Sequence, residues 1–330
     1  GIFDRAFDIA GHHVYSGASV GVVLGRAEYR SPDQVLRDAD TAMYRAKAGG
    51  KSAWVVFDEA MHAAARARFQ LEIDLRLALE REEFRPYFPP IVSRADSRIV
   101  AVEALVRWEH PQRGLLVPGE FLHVAYEAGL LAELDWWMLE EAGRHLAAWR
   151  RRYPQHAELR VNVNVDERQL GSKQCATDVA AMLERTGLPA NALVLEVTES
   201  VFRHEHGQVA ESLRDLKGIG VQLVVDDFGT GYSSLEAFAA SPFDGLKIDR
   251  GFVQDMETNR RHRAIVRTVA AFADDLGLAI TAEGVETAAQ ARLLGELGCD
   301  SAQGFHFCAP LPAAALEQRL AESAPIPALA

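Results

Sequence analysis

From about residue 81 onward the chain alternates short apolar runs with longer amphipathic segments, and this alternation limits the fold more than any other property. The runs are PYFPPIV, IVAVEALVRW, LRVNVNV, LVLEVTES, VQLVVDDF, GLKIDR, LAITAEGV and DSAQGFHF. Apolar strands separated by helix-forming segments imply parallel pairing with helical crossovers. Eight such units predict an α/β fold, a closed (β/α)8 TIM-like barrel rather than an open sheet. Its active face is expected where the strands meet their following loops.

What sits at those strand ends is chemically informative. In chain order they deliver Glu103, Asn164, Glu196 with Glu199, Asp226 with Asp227, Lys247 with Asp249, Glu283 with Glu286, and Gln303. Each has an ordinary structural reading alone: a strand charge with an arginine partner, a turn cap, an ion pair between Lys247 and Asp249. Closure of a barrel, however, gathers them around one mouth. Five carboxylates (Glu103, Glu196, Asp226, Asp227, Glu283) against Lys247 leave four negative charges unbalanced. Unpaired buried charge costs several kcal/mol per ion, and two divalent cations would cancel it. Oxygen donors without Cys or His select Mg2+ or Mn2+ over zinc. Paired ions of this kind serve in-line phosphoryl displacement. Adjacent Asp226 and Asp227 would point apart on a regular strand, so the strand is expected to end there and turn, with Gly229 and Gly231 allowing it.

Composition removes other function classes. A net charge of -12 argues against a nucleic-acid polymer or an anionic membrane surface as partner. No apolar stretch reaches the roughly 18 residues of a membrane span and the N-terminus has no signal-peptide pattern, so a soluble chain without direct membrane insertion is expected. Cys175, Cys299 and Cys308 form no CxxC, which suits a reducing cytoplasm. His204 and His206 share a polar turn that reads as a solvated loop rather than a zinc site.

Three segments are expected: 1–58, 59–80 and 81–325. In the first, VYSGASVGVVL (14–24) reads as a strand, and Ser31, Pro32 and Gln34 supply an N-cap, a first-turn proline and a capping-box glutamine. Val35, Leu36, Ala39, Ala42, Met43 and Ala46 form a helical stripe ending at Gly49-Gly50, and AWVVFD closes the segment as a strand. With RDADTAMYRAKAGGKSAWVVFD, this piece resembles the final third of a GGDEF (diguanylate cyclase) domain. The GG(D/E)EF signature is absent, so no catalysis is assigned to it. Met61, Ala65, Phe69, Ile73 and Leu77 recur every fourth residue and predict one amphipathic connector helix over 59–80.

From about 68 to 322 the chain resembles an EAL domain, the cyclic di-GMP phosphodiesterase family. The resemblance is carried by Glu103-Ala104-Leu105 in VEALVRWEHP, NVDERQL (164–170), LEVTES (195–200), DDFGTGYSSL (226–235), LKIDR (246–250), AEGVET (282–287) and AQGFHFCAPLP (302–312). It implies that Glu103, Asn164, Glu196 and Asp226 hold one metal ion, and Asp226, Asp227 and Glu283 the second. It further implies that Lys247 orients the attacking water, that Leu105 and Gln303 contribute to the substrate site, and that Arg107 grips a phosphate. Glu199 would anchor the FGTGYSS loop, while Asp249 and Glu286 would support Lys247 and the metal ligands. The implied reaction is hydrolysis of cyclic di-GMP to linear pGpG in bacterial signalling, with Ca2+ inhibitory. A homodimer through the loop after Asp227 also belongs to that picture.

Two departures from the family pattern stand out. Pro89 in FPPI replaces the usual glutamine and offers no donor. Asp166-Glu167 stand where Ser-Ala is usual, adding negative charge beside Asn164. The competing reading is therefore a catalytically weak or inactive EAL-type receptor for cyclic di-GMP. A carbon-acid barrel of the enolase type finds no support in these motifs.

Overall fold

The computed structural model describes residues 6–9, 12–25, 29–48, 52–204, 207–229, 238 and 241–322. The chain divides into two compact units, Gly1–Leu77 and Ala78–Ala330.

In the first unit, strand Val20–Val22 pairs in parallel with Trp54–Val56, and helix Pro32–Ala48 forms the crossover between them. Ala42, Phe57 and Met61 make its small core, with Val23 and Val55 packed against them. The strand expected over 14–24 is shorter than its apolar content suggested: His12–Val14 pairs with Phe7–Ile9, and only Val20–Val22 continues the stretch. Ser31 Oγ accepts from the Gln34 amide at 3.4 Å, and Gln34 Oε1 reaches back to the Arg30 amide, one residue earlier than a strict capping box. Leu36, placed in the buried stripe from sequence, is 63% exposed. Gly49-Gly50 lie outside the described residues.

Residues Glu59–Ala78 form a single helix, but its buried side differs from the predicted one. Met61 is buried, whereas Ala65, Phe69 and Ile73 are exposed; Leu71, Leu75 and Ala78 are buried instead. A strict every-fourth-residue series advances about 40° beyond one full turn at each step on a helix of 3.6 residues per turn, so it winds off any single face.

In the second unit the eight strand regions close into a barrel, as the alternation predicted. They are β1 (Pro90–Ser93), β2 (Ile99–His110), β3 (Arg160–Asn164), β4 (Leu193–Thr198), β5 (Gln222–Phe228), β6 (Gly245–Ile248), β7 (Ala279–Ala282) and β8 (Ser301–Ala302). β2 through β8 pair in parallel in chain order, and β1 closes the ring between β8 and β2. β1 is antiparallel to both neighbours, which departs from an all-parallel barrel. The physical reason is the link to β2: residues 94–98 form a turn, far shorter than the dozen or so residues a parallel crossover needs.

Helices such as Leu131–Arg152, Cys175–Thr186, Gln208–Ile219 and Arg260–Asp275 follow the strands. In the last of these, Asn259 caps the first turn and Val266, Val269, Ala270 and Ala273 are buried at helical spacing. β2 is long enough to leave the ring. Its residues from Leu105 onward pair instead with Phe84–Phe88 and Gly114–Leu116, carrying the strand above the barrel mouth. Among the described residues no helix is long and apolar enough to cross a membrane.

Candidate active site at the carboxyl ends of the barrel strands

Lys247, on β6, is 1% exposed and sits at the centre of the site. Its Nζ lies 2.5 Å from Glu283, 2.9 Å from Glu196, 3.3 Å from Asp226 and 3.5 Å from Glu103. Four carboxylates from β2, β4, β5 and the end of β7 thus share one ammonium. Burial alone would depress the lysine, but Glu103, Glu196, Glu283 and Asp226 hold it well above its ordinary range. The ordinary structural reading of Lys247, a plain ion pair with Asp249, is not what the site shows, because its ammonium is taken up by these four acids. Asp249 instead accepts from the Gly251 amide at the start of helix Arg250–Val253, beside Asp227. Glu286 is exposed, and its backbone amide donates to Gln290 Oε1 at 2.7 Å.

Neutral amides hold the carboxylates from the sides. Asn164 donates to Glu103 Oε1 at 3.2 Å, and Gln303 Nε2 donates to Glu103 Oε2 at 2.7 Å and Glu283 Oε1 at 2.8 Å. Asn162, which the motifs did not single out, donates to Glu196 Oε1 at 2.8 Å while Lys247 takes the other oxygen. The signal was available: Asn162 lies two residues before Asn164, on the same strand face.

The adjacent aspartates are accommodated differently from expectation. β5 does not end at them but runs to Phe228, and its register with β6 slips between Val225 and Phe228. Asp227 itself takes φ +54°, a left-handed conformation costly for a residue with a Cβ. The slip brings oxygens of Asp226, Asp227 and Glu283 within 4.8 Å of one another. Gly229, at φ +97°, follows, and its amide donates to Glu199 Oε2 at 3.1 Å. Gly231 and the rest of that loop to residue 237, which the dimer expectation concerns, lie outside the described residues, as does His206.

The charge balance suits a cation site. Burial raises Glu196 well above the ordinary carboxylate range, with Lys247 opposing the shift and the other acids adding to it. Burial pushes Glu283 to about 8 against the pull of Lys247, and burial with repulsion from Asp226 and Asp249 puts Asp227 at about 6. One lysine does not neutralise these acids. Gln303 Oε1 is also buried without a hydrogen-bond partner among the described residues. Oxygen donors in excess negative charge fit hard divalent ions.

Arg107 and Leu105 lie on the part of β2 that rises above Glu103. The Arg107 guanidinium stacks over Tyr87 at 5.4 Å and donates to the Val106 carbonyl, so it stands near the mouth with no carboxylate partner at ion-pair distance among the described residues. Pro89 joins the strand Phe84–Phe88 to β1, and its carbonyl accepts from the Glu103 amide at 3.1 Å. The backbone support of Glu103 therefore survives the proline.

A barrel with a carboxylate cluster at the carboxyl ends of its strands places the chain among the α/β-barrel proteins whose functional groups gather at that end. The model of the EAL domain matches residues 72–310, and the chain belongs to the EAL domain family. It is 39% identical over 320 residues to the bifunctional diguanylate cyclase/cyclic di-GMP phosphodiesterase MucR of Pseudomonas aeruginosa, covering 97% of this chain and 46% of MucR. It is 39% identical over 308 residues to the cyclic di-GMP phosphodiesterase NbdA of the same organism, covering 92% and 38%. The chain thus spans less than half the length of these relatives. A solved complex of the PaMucR phosphodiesterase with c-di-GMP superposes with a TM-score of 0.72 at 41% identity, covering 75% of this chain and 99% of that one.

Proposed function

We propose that the barrel hydrolyses one phosphodiester bond of cyclic di-GMP to give linear pGpG, with two Mg2+ or Mn2+ ions. The observation that carries this reading is the convergence of four carboxylates within 3.5 Å of one buried lysine, with Asp227 alongside. In this reading Glu103, Asn164, Glu196 and Asp226 hold one ion, and Asp226, Asp227 and Glu283 hold the other. When bound, such ions supply an activated water and stabilise the oxygens that gain charge.

The chain's own groups position the reactants. Lys247 fixes the carboxylates and places a positive charge beside the reacting phosphate. Gln303 ties Glu103 to Glu283 through one amide nitrogen. Arg107, oriented by Tyr87, offers a guanidinium to phosphate oxygens, and Leu105 provides an apolar contact at the mouth. The water oxygen adds to phosphorus, the bond to one ribose 3′ oxygen breaks, and a proton passes to that oxygen, leaving a 5′-phosphate on the product. The activity named for MucR and NbdA, and the complex of PaMucR with c-di-GMP, support the substrate. Residues 1–58 are read as the closing part of a cyclase-like domain with no catalysis of its own, and 59–80 as the connector.

The test is incubation of the chain with cyclic di-GMP, with and without Mg2+ or Mn2+, followed by chromatography of the nucleotides. Metal-dependent pGpG, lost in Asp226→Asn, supports the proposal. Saturable binding of cyclic di-GMP with no product under either metal would replace it with the receptor reading.

A further inference from the structure

The opposite end of the barrel carries charge of the other sign. A cleft of about 520 Å³ opens there, lined by Arg98, Arg150, Arg160 and Arg319 together with His156. Arg160 and Gln222, which open β3 and β5, place it at the amino ends of the strands, away from the carboxylates. In a chain of net charge -12, four guanidinium groups around one cavity run against the overall balance.

The arginines are not consumed by internal pairing. Arg98 has a loose contact with Asp96 at 3.6 Å. Arg160 donates to the neutral Gln222 side chain at 2.8 Å, and Arg150 reaches the Leu159 carbonyl at 3.5 Å. Arg150, Arg160 and Arg319 form no ion pair with a carboxylate among the described residues, and Glu158 is the only other acid in the lining. Each guanidinium carries five N–H donors in a planar fork that matches phosphate oxygens. The groups come from separate stretches of chain and converge on a concavity, unlike arginines scattered on a solvated face. Ile99, Val100 and Leu159 add an apolar wall. The volume lies in the range of small-molecule sites.

We propose that this cleft binds a phosphate-bearing small molecule of mononucleotide size, at a site separate from the carboxylate mouth. Arg160 opens the strand whose next same-face residues, Asn162 and Asn164, hold Glu196 and Glu103. A ligand on Arg160 would therefore grip the strand that carries two amides of the active site.

Calorimetric titration of the full chain in EDTA with GMP, GTP and inorganic phosphate tests the proposal, because chelation removes the ions that would draw phosphates to the other end. The expected result is saturable binding of a nucleotide, at least about tenfold weaker in Arg150→Ala/Arg319→Ala and unchanged in Asp226→Asn. Arg319→Gln, at an exposed position, is expected to weaken binding while leaving the melting temperature and the metal-dependent turnover as in the parent chain. Absence of saturable binding for all three probes overturns the proposal, as does equal affinity in the arginine variants. Inorganic phosphate binding as tightly as GMP and GTP would overturn the assignment of size.

Discussion

Glu196 is buried with both oxygens engaged, one by the Asn162 amide and one by the Lys247 ammonium. Asn162→Ala would strip one of them in a place water does not easily reach, which costs about 1–3 kcal/mol. It would also free the orientation of a residue proposed to bind metal, where loss of a supporting hydrogen bond commonly lowers affinity about ten- to a hundredfold. The expected outcome is a Mg2+ titration, followed by thermal shift, displaced to higher concentration by that factor; an unchanged titration would remove Asn162 from the positioning role. The raised acids make a second expectation. Glu283 at about 8 and Asp227 at about 6 bind protons more tightly in the folded chain than in the unfolded one. Their contribution without metal is therefore full below the ordinary carboxylate range and is lost as pH rises through about 6 and then about 8. Cations take the place of those protons, so the Mg2+-induced rise in melting temperature should be larger at pH 8 than at pH 6. Scanning fluorimetry at the two pH values checks this, and a smaller increment at pH 8 would contradict it.

Among the elements, the loops after β7 and β8 depend on a single glycine. Gly304 has φ +152°, and a Cβ there would lie 2.2 Å from the Val285 carbonyl oxygen and 2.3 Å from its nitrogen. Val285 donates to the Gln303 carbonyl and accepts from the His306 amide, so the two loops are joined where Glu283 and Gln303 must meet. Gly304→Ala is expected to destabilise the chain by about 2 kcal/mol or more and to depress turnover, read from melting and from the rate at saturating substrate. The same scale shows what the sequence made legible. The positions of the acids near strand ends were readable because apolar runs such as LVVDD and LAITAE lead into them, and barrel closure does the rest. The direction of β1 was not read, although the five residues from 94 to 98 are too few for a crossover, because apolar periodicity carries no direction. The buried side of helix Glu59–Ala78 was misassigned by a repeat of four that drifts around the helix, leaving Phe69 65% exposed. The geometry of Asp226 and Asp227 lay in a register slip and one left-handed residue, neither of which a composition of acids and glycines encodes.

For the whole molecule, the unbalanced acids of one mouth link folding to ion binding. A ligand that binds only the folded state at a hundred times its dissociation constant adds about 2.7 kcal/mol, or about 5–10 °C in a domain of this size. Mg2+ is expected to raise the melting temperature by that order, and Asp226→Asn to abolish most of the rise because Asp226 is proposed to touch both ions. Ca2+ separates the contribution to stability from the contribution to chemistry. Its charge equals that of Mg2+, so it relieves the same repulsion among Glu103, Glu196, Asp226, Asp227 and Glu283. It is larger, however, accepts more ligands at about 2.3–2.6 Å and tolerates irregular geometry, whereas Mg2+ demands a near-octahedral shell at about 2.0–2.1 Å. Longer bonds polarise a bound water less and hold the reacting oxygens less firmly. With Ca2+ the chain should therefore melt later while producing little or no pGpG, and Ca2+ added to the Mg2+ enzyme should inhibit in competition with Mg2+. Parallel melting and product assays across a Ca2+ series decide the matter: turnover with Ca2+ equal to that with Mg2+ would show that charge compensation alone, without a tight coordination shell, is enough for the reaction.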